Sequence, residues 1–513
     1  MLRSLRAGCA LTVFAIALIA APAASAEVQH LHYQTGPFEV TPGQNRIAIA
    51  PITQKPAVDG YITRMRPDLI LTNGTVPRVD VLHLHHGVWL NLSHSDATVP
   101  GLPERFFAAG EEKTVLQLPK GYGYPYKTTD RWLLNHMIHN LTTKSFQVYM
   151  TYDIDFIPAT DPEAKNIKAA RPLWLDVQNG SLYPVFDVKR HSGHNGRFTY
   201  PNDDKNAYPS GVKKNQWTVD RDGVLIATAG HLHPGGLHTD LYLKRKGATA
   251  RRSNCGSLSE AKARTRCRRS RPSVKGNTAH LFRSNAKYFE PAGAVSWDVS
   301  MTATRPNWRV AVHKGDVLST TATYDSKRGA WYESMGIMVV WMADQGPGKD
   351  PFASKVDLKG KITHGHLREN RNHGGKRTSL PDARRLSDGV FSPAGIDISS
   401  FTYRYGDLHL RGKAGRPPVI KAGQSLQFTL SANDNDRGIY HTITSCRAPC
   451  TGSTGIAYPL ADGKFDFDSG QLGDTLPAVG RLSYRTPRSL PAGTYNYFCR
   501  IHPFMRGAFR VKK

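Results

Sequence analysis

Apolar and polar positions alternate in short runs along most of this chain. The stretches "VDVLHLHHGVWLNLS", "SFQVYMTYDIDFI", "GVLIATAGHLH", "TDLYLK", "RVAVHKGDVLSTTATYD", "GIMVVWMA" and "SLQFTLSA" are rich in β-branched and aromatic residues, with Gly, Pro, Asn and Asp between them. No long stretch carries a helical period. The pattern predicts an all-β protein of antiparallel sandwiches. From Asp344 to about Pro393 the alternation gives way to Gly, Lys, Arg, Asp and Asn, the composition of a linker. A compact β unit follows, in "GIDISSFTYRYGDLHLRG", "PPVIKAGQSLQFTLSAND", "HTITS" and "GTYNYFCRIH". A chain of 513 residues exceeds one ordinary domain. The expected order is a leader (1–26), two tandem antiparallel β-sandwiches of jelly-roll type (27–184 and 185–345), a polar linker (346–394), and a third, Greek-key sandwich (395–513).

The leader reads as a secretory signal. Arg3 and Arg6 precede an apolar stretch from Leu11 to Ala20, and Ala24-Ser25-Ala26 supplies small residues for cleavage before Glu27. The apolar stretch is shorter than the roughly 20 residues a membrane span needs. No later segment is apolar enough to span, so the mature chain is expected to be extracytoplasmic, either secreted or in the cell envelope. An oxidising compartment makes Cys255–Cys267 and Cys446–Cys450 candidate disulfides and leaves Cys499 alone. The formal charge is +27, and the segment from Lys244 to Lys275 holds twelve Lys and Arg against one acid, Glu260. That segment could meet an anionic envelope polymer or serve as a solvated loop. No aromatics interleave with its charges, so it has no platform for stacking nucleic-acid bases.

Near the C-terminus "YNYFCRIHPFMRG" places Cys499, His502 and Met505 in one tight loop, and His441 opens "HTITS" far upstream. Thiolate, two imidazoles and a thioether are the ligand set of a blue-copper electron-transfer centre. Each residue alone also fits an ordinary core. Together, with Gly493-Thr494-Tyr495 leading in, the stretch resembles the cupredoxins, most closely the short-loop amicyanin type. The resemblance covers about Gly395 to Lys513 and implies a cupredoxin β-sandwich with one type I copper held by His441, Cys499, His502 and Met505. Phe498 and Arg500 flank the cysteine where multicopper oxidases carry histidines, so their trinuclear cluster is not implied.

Other histidines group further upstream. "HLHHGVW" supplies His83, His85 and His86, "NHMIHN" supplies His136 and His139, and "GHLHPGGLH" supplies His231, His233 and His238. Adjacent His85 and His86 point to opposite faces of a regular strand, so both can serve one ion only at a bulge or a strand end. The order His-His, lone His, His-x-His, and then Met335 in "YESMGIMVVWM" resembles the copper type II ascorbate-dependent monooxygenases, the peptidylglycine α-hydroxylating and dopamine β-monooxygenase group. "HHGVW" and "GHLHPGG" also resemble the plant stress-upregulated nodulin-like proteins. The monooxygenase resemblance implies up to two type II coppers, one on His85, His86 and His139 (with His136 as competitor) and a catalytic one on His231, His233 and Met335. It departs from that family in its few cysteines and in Gly87, where the family usually has methionine. Another His-x-His, with His364, His366 and His373, lies in the linker as a solvated loop or a copper-loading site.

These readings imply a copper-dependent monooxygenase that hydroxylates a C–H bond of an unidentified organic substrate with O2. Its electrons would come from a reductant or redox partner protein through the fused blue-copper domain. The rival reading is a non-catalytic copper protein of the envelope that carries electrons or handles copper. A third is an envelope adhesion module worked by the basic segment.

Overall fold

The computed structural model describes residues 28–513 apart from 46, 80, 143, 182–183, 190, 250–259, 263–271, 290–297, 328–330, 364–380, 409–412, 432–438, 447–465, 474–480, 500 and 503–504. The leader, Cys255, Cys267, Cys450, His364, His366, His373 and most of the basic segment therefore lie outside the described residues. Among the described residues no helix is long and apolar enough to cross a membrane.

The chain is all-β, as the alternation predicts. In the first sandwich one sheet sets Gln29–Val40 and Gly60–Leu71 on either side of Phe146–Pro158. The other runs Ile47–Ile52, Trp132–Asn140, Leu82–Ser95 and Pro103–Gly110, all antiparallel. Alternate residues of the two sheets, among them Met65, Leu84, Trp89, Met150, Tyr152 and Ile154, meet in a buried core. That core continues into Val224, Ile226, Trp341 and Ala343 of the next sandwich. The two sandwiches thus share packed apolar surface, and removing such surface from water stabilises the contact by about 25 cal/mol per Å².

In the second sandwich Ile337–Ala343 lies between Lys168–Asp176 and Gly223–His231. The facing sheet centres on Gly236–Lys244, between Val317–Asp325 and Thr278–Tyr288. Lys168–Asp176 precedes the break expected at Pro184, yet it pairs along its length with Ile337–Ala343. The turn Pro162–Asn166, capped by the Asp161 side chain, leads into it from Phe146–Pro158, and its first residues, Lys168 and Ala169, also pair with Tyr122 and Gly123. Both ends of the expected linker are also packed. Lys361–Ile362 pairs with Thr302–Ala303, while Phe391 bridges Val419 and Arg510 donates to the Ala383 carbonyl.

The C-terminal unit has two four-stranded sheets. One runs Thr402–Tyr403, Ile396–Ser399, Gln427–Leu430 and Ser483–Arg485; the other runs Val419–Lys421, Arg506–Lys512, Gly493–Phe498 and Thr444–Cys446. Each contains one parallel pairing, which hairpins alone cannot make. Ile398, Phe428, Tyr497 and Phe509 fill the space between, and Cys499 and Met505 belong to the same core.

Candidate metal centres

The C-terminal centre follows from one strand end and one bridge. Gly493–Phe498 ends immediately before Cys499, and the chain turns back so that the Cys499 N–H donates to the Met505 carbonyl (3.0 Å) and the Met505 N–H to the His502 carbonyl (2.8 Å). His441 arrives on a bridge to Leu472. Cys499 Sγ lies 3.9 Å from His441 Nδ1 and 3.7 Å from His502 Nδ1. All four residues, Met505 included, are 0% exposed. The sulfur also accepts N–H bonds from Thr442 (3.4 Å) and His502 (3.3 Å). Burial alone would push the thiol up, but the two imidazoles beside it hold it well below the ordinary thiol range. A buried thiolate with two Nδ1 donors and a thioether in the same loop fits a copper ion.

The outer edge of this centre meets the first sandwich. His502 Nε2 donates to the Gly43 carbonyl at 2.8 Å. Gly43 has φ +59°, and a Cβ there would fall 1.8 Å from Cε1 of Phe401, whose ring stands edge-on to both His502 and His441. Beyond His502, at 5.8 Å between ring centroids, lies His139.

His139 belongs to the upstream histidine cluster. In the pairing of Leu82–Ser95 with Trp132–Asn140, Leu84 faces Ile138 and His86 faces Met137, so His85 is the extra residue of a bulge. The bulge is the device the His-His pair requires: His85 and His86 both enter the cluster, their rings 4.4 Å apart. His83 faces His139 across the pair, with rings 5.0 Å apart. His231 ends its strand opposite Ile337, and His233 follows in the turn closed by the Gly236 N–H. Their rings are 5.1 Å apart, and that of His233 lies 4.4 Å from His85. The two sets assigned by resemblance to separate coppers therefore meet in one place, because the ends of both strands converge where the sandwiches join. His136 is not part of the group; its ring packs at a tilt against Phe38. Met335 is buried beside Trp174 and Ile337, and the Tyr324 hydroxyl ties its backbone to that of His233.

Two acids unforeseen in the sequence complete the cluster. Glu111 and Glu112 follow Pro103–Gly110, whose Gly110 pairs with His86. His85 Nδ1 bonds Glu111 Oε1 (3.2 Å), and His231 Nδ1 bonds Glu112 Oε2 (2.9 Å). A Cβ on Gly110 would lie 2.6 Å from His231 Cε1, so only glycine fits there. Burial, reinforced by like charge from neighbouring histidines, holds His85, His139 and His233 well below the ordinary imidazole range. It takes His83 to about 4 and His86 to about 3. The imidazoles are thus neutral and keep a lone pair for a metal. His231 Nε2 and His233 Nε2 are buried without a hydrogen-bond partner among the described residues, which a bound ion would remedy. Three overlapping groups have ligand atoms within 4.8 Å of one another: His85, His86 and His233; His83, His85 and Glu111; and Glu111, His231 and His233. A cleft of about 450 Å³ opens onto the cluster, with His86, Glu112, His231 and Met335 at its head and an apolar wall that includes Phe107 and Trp341.

No protein-family model and no curated protein matches the chain. Among solved structures it is similar over 26% of its length to a methionine-to-alanine mutant of amicyanin in the Cu(I) state, at 19% identity, 92% coverage of that chain and a TM-score of 0.15. A reduced tryptophan-to-tyrosine mutant of amicyanin matches 27% of this chain and 96% of its own, at 19% identity and a TM-score of 0.15. The reduced Cu(I) form at pH 4 of a proline-to-glycine mutant of amicyanin matches 26% of this chain and 92% of its own, at 21% identity with a TM-score of 0.14.

Proposed function

We propose that this chain is an exported copper oxidoreductase in which the C-terminal centre passes electrons to the upstream histidine cluster, and the cluster oxidises an apolar organic molecule held in the adjoining cleft. One observation carries the reading. The imidazole edge through which the C-terminal centre would exchange electrons is fully buried against Gly43 and faces His139, not solvent. A soluble partner cannot touch that edge, whereas the cluster already does.

Copper bound by His441, Cys499, His502 and Met505 supplies one-electron chemistry, and the rigid buried frame of those residues keeps reorganisation small. The Gly43 carbonyl and the Phe401 ring hold the His502 ring in place. Glu112 fixes the orientation of His231, and the Glu333 carbonyl that of His233 at 2.5 Å. The apolar wall suits a substrate presenting C–H bonds, and hydroxylation with O2, the activity the monooxygenase resemblance implies, is the reaction we infer. External electrons come from a reductant or redox partner that reaches the protein elsewhere on its surface.

The test is anaerobic reduction of the copper-loaded full chain followed by mixing with O2. Reoxidation of the blue centre should slow at least about tenfold in His233→Ala, because the cluster is its outlet. Equal rates in both proteins would overturn the reading and favour a carrier whose electrons leave by another route.

A further inference from the structure

The upstream cluster holds more ligand atoms than one ion can take, and two of its three close groups share one carboxylate while the third, His85, His86 and His233, lies between them. Glu111 stands in two of the close groups, with His83 and His85 on one side and with His231 and His233 on the other. Its Oε1 accepts from His85, while its Oε2 is buried without a hydrogen-bond partner among the described residues. The side chain is 0% exposed. A buried oxygen without a partner calls for one, and no Lys or Arg forms an ion pair with Glu111 among the described residues.

We propose that Glu111 bridges two first-row transition ions. One is held by His83 and His85, with His139 beside them. The other is held by His231 and His233, with His86 beside them. The inference deepens the reading above and rests on its histidine cluster being a metal site.

The hydrogen bonds around the cluster fix which nitrogens face its interior. The Nδ1 atoms of His83, His231 and His233 are tied to the Val79 carbonyl (2.8 Å), Glu112 Oε2 (2.9 Å) and the Glu333 carbonyl (2.5 Å). Each acceptor engages Nδ1 and so turns Nε2 toward the interior of the cluster as the ligand atom. The ligands come from both sandwiches: His83, His85, His86 and His139 from the first, and His231 and His233 from the second. A pair of ions with one shared carboxylate would fasten the two together. The ion on the His83 side would lie toward His139 and His502, and its partner toward the cleft. Imidazole-rich ligation suits copper, and copper is the ion whose redox chemistry the neighbouring centre can use.

The experiment uses the full chain, stripped of metal, loaded with Cu(II) alone and desalted. Copper per chain is measured by mass spectrometry, and unpaired spins by integrating the EPR spectrum. The expected result is about three coppers per chain with only about one EPR-visible spin, that of the blue centre, because the bridged pair couples. In Glu111→Gln the count should fall to about two, or the missing spins should appear, with the blue absorption unchanged as evidence of folding. About two coppers in the wild type, or about three with every spin visible, would overturn the inference. So would a Glu111→Gln protein with wild-type copper and spin counts. Should Glu111→Gln fail to fold, the wild-type copper and spin counts decide alone. A spin-coupled pair without electron passage between the centres refutes the proposed function and leaves this inference standing; passage in a chain with about two coppers does the reverse.

Discussion

The two candidate metal centres differ in how they are written into the chain. Three of the four C-terminal ligands lie within seven residues of one loop, Cys499 to Met505, and the fourth sits on a neighbouring bridge. The upstream cluster draws on a bulged strand, its pairing partner, a strand end with its turn, and the acids after another strand, spread from His83 to His233. A loop site needs only its own sheet to form. An interface site needs two sandwiches to fold and then to pack with the right strand ends together. The first should therefore be robust and separable, and the second should depend on positioning groups throughout.

The sharpest way to break the comparison is to remove the C-terminal thiolate. Cys499→Ser should abolish the blue absorption entirely while the cluster keeps its copper, measured as metal content and non-blue EPR signal. Loss of both would mean that the centres are not independent.

Acid should attack the cluster first. In the metal-free protein His83 and His136 sit at about 4 and His86 at about 3, lowered chiefly by burial. Between roughly pH 6.5 and those values the unfolded chain binds protons that the folded chain refuses, so stability falls as pH falls. The slope is on the order of 1 kcal/mol per pH unit for each histidine. Denaturant unfolding at pH 7 and pH 4.5 checks the sign, and bound copper should extend the dependence to lower pH, because metal and protons compete for the same nitrogens.

Positioning groups come next. Glu112→Gln keeps the shape beside His231 but withdraws the charge, and should weaken copper binding at the cluster by about 10–100-fold with no change in the blue centre. Competition with a chelator gives the number, and an unchanged affinity would remove Glu112 from the site.

The smallest expected effect is at the junction. Gly43→Ala places a methyl into the Phe401 ring at positive φ and should destabilise the docked arrangement by about 1–3 kcal/mol. The blue spectrum should persist while reoxidation slows and proteolysis near 381–395 quickens. A variant that melts and reoxidises like the wild type would show that the contact does not hold the centres together.

Part of each centre is legible in the amino-acid sequence. The strand runs predict the all-β fold, and the need for a bulge at His85-His86 follows from the two-residue period of strands alone. Other features are not legible, for reasons that particular residues show. Glu111 and Glu112 look like ordinary loop acids in "GEEKT", because only the pairing of Gly110 with His86 brings them to the histidines. His139 is the favoured candidate and His136 its competitor as letters; the strand's alternation sends His136 to Phe38 and His139 to His83. Lys168–Asp176 carries no mark of which sandwich it joins, since its apolar side chains would serve either core.

The amino-acid sequence by itself determined what is local: strand periodicity, and a candidate metal-ligand set with three of its members compressed into one loop where spacing and chemistry coincide. Only the tertiary structure decided that the upstream histidines form one cluster, that two glutamates belong to it, and that His502 faces His139 across Gly43. Those facts depend on which strand ends and surfaces meet, and that is settled by packing between sandwiches, where residues hundreds of positions apart become neighbours.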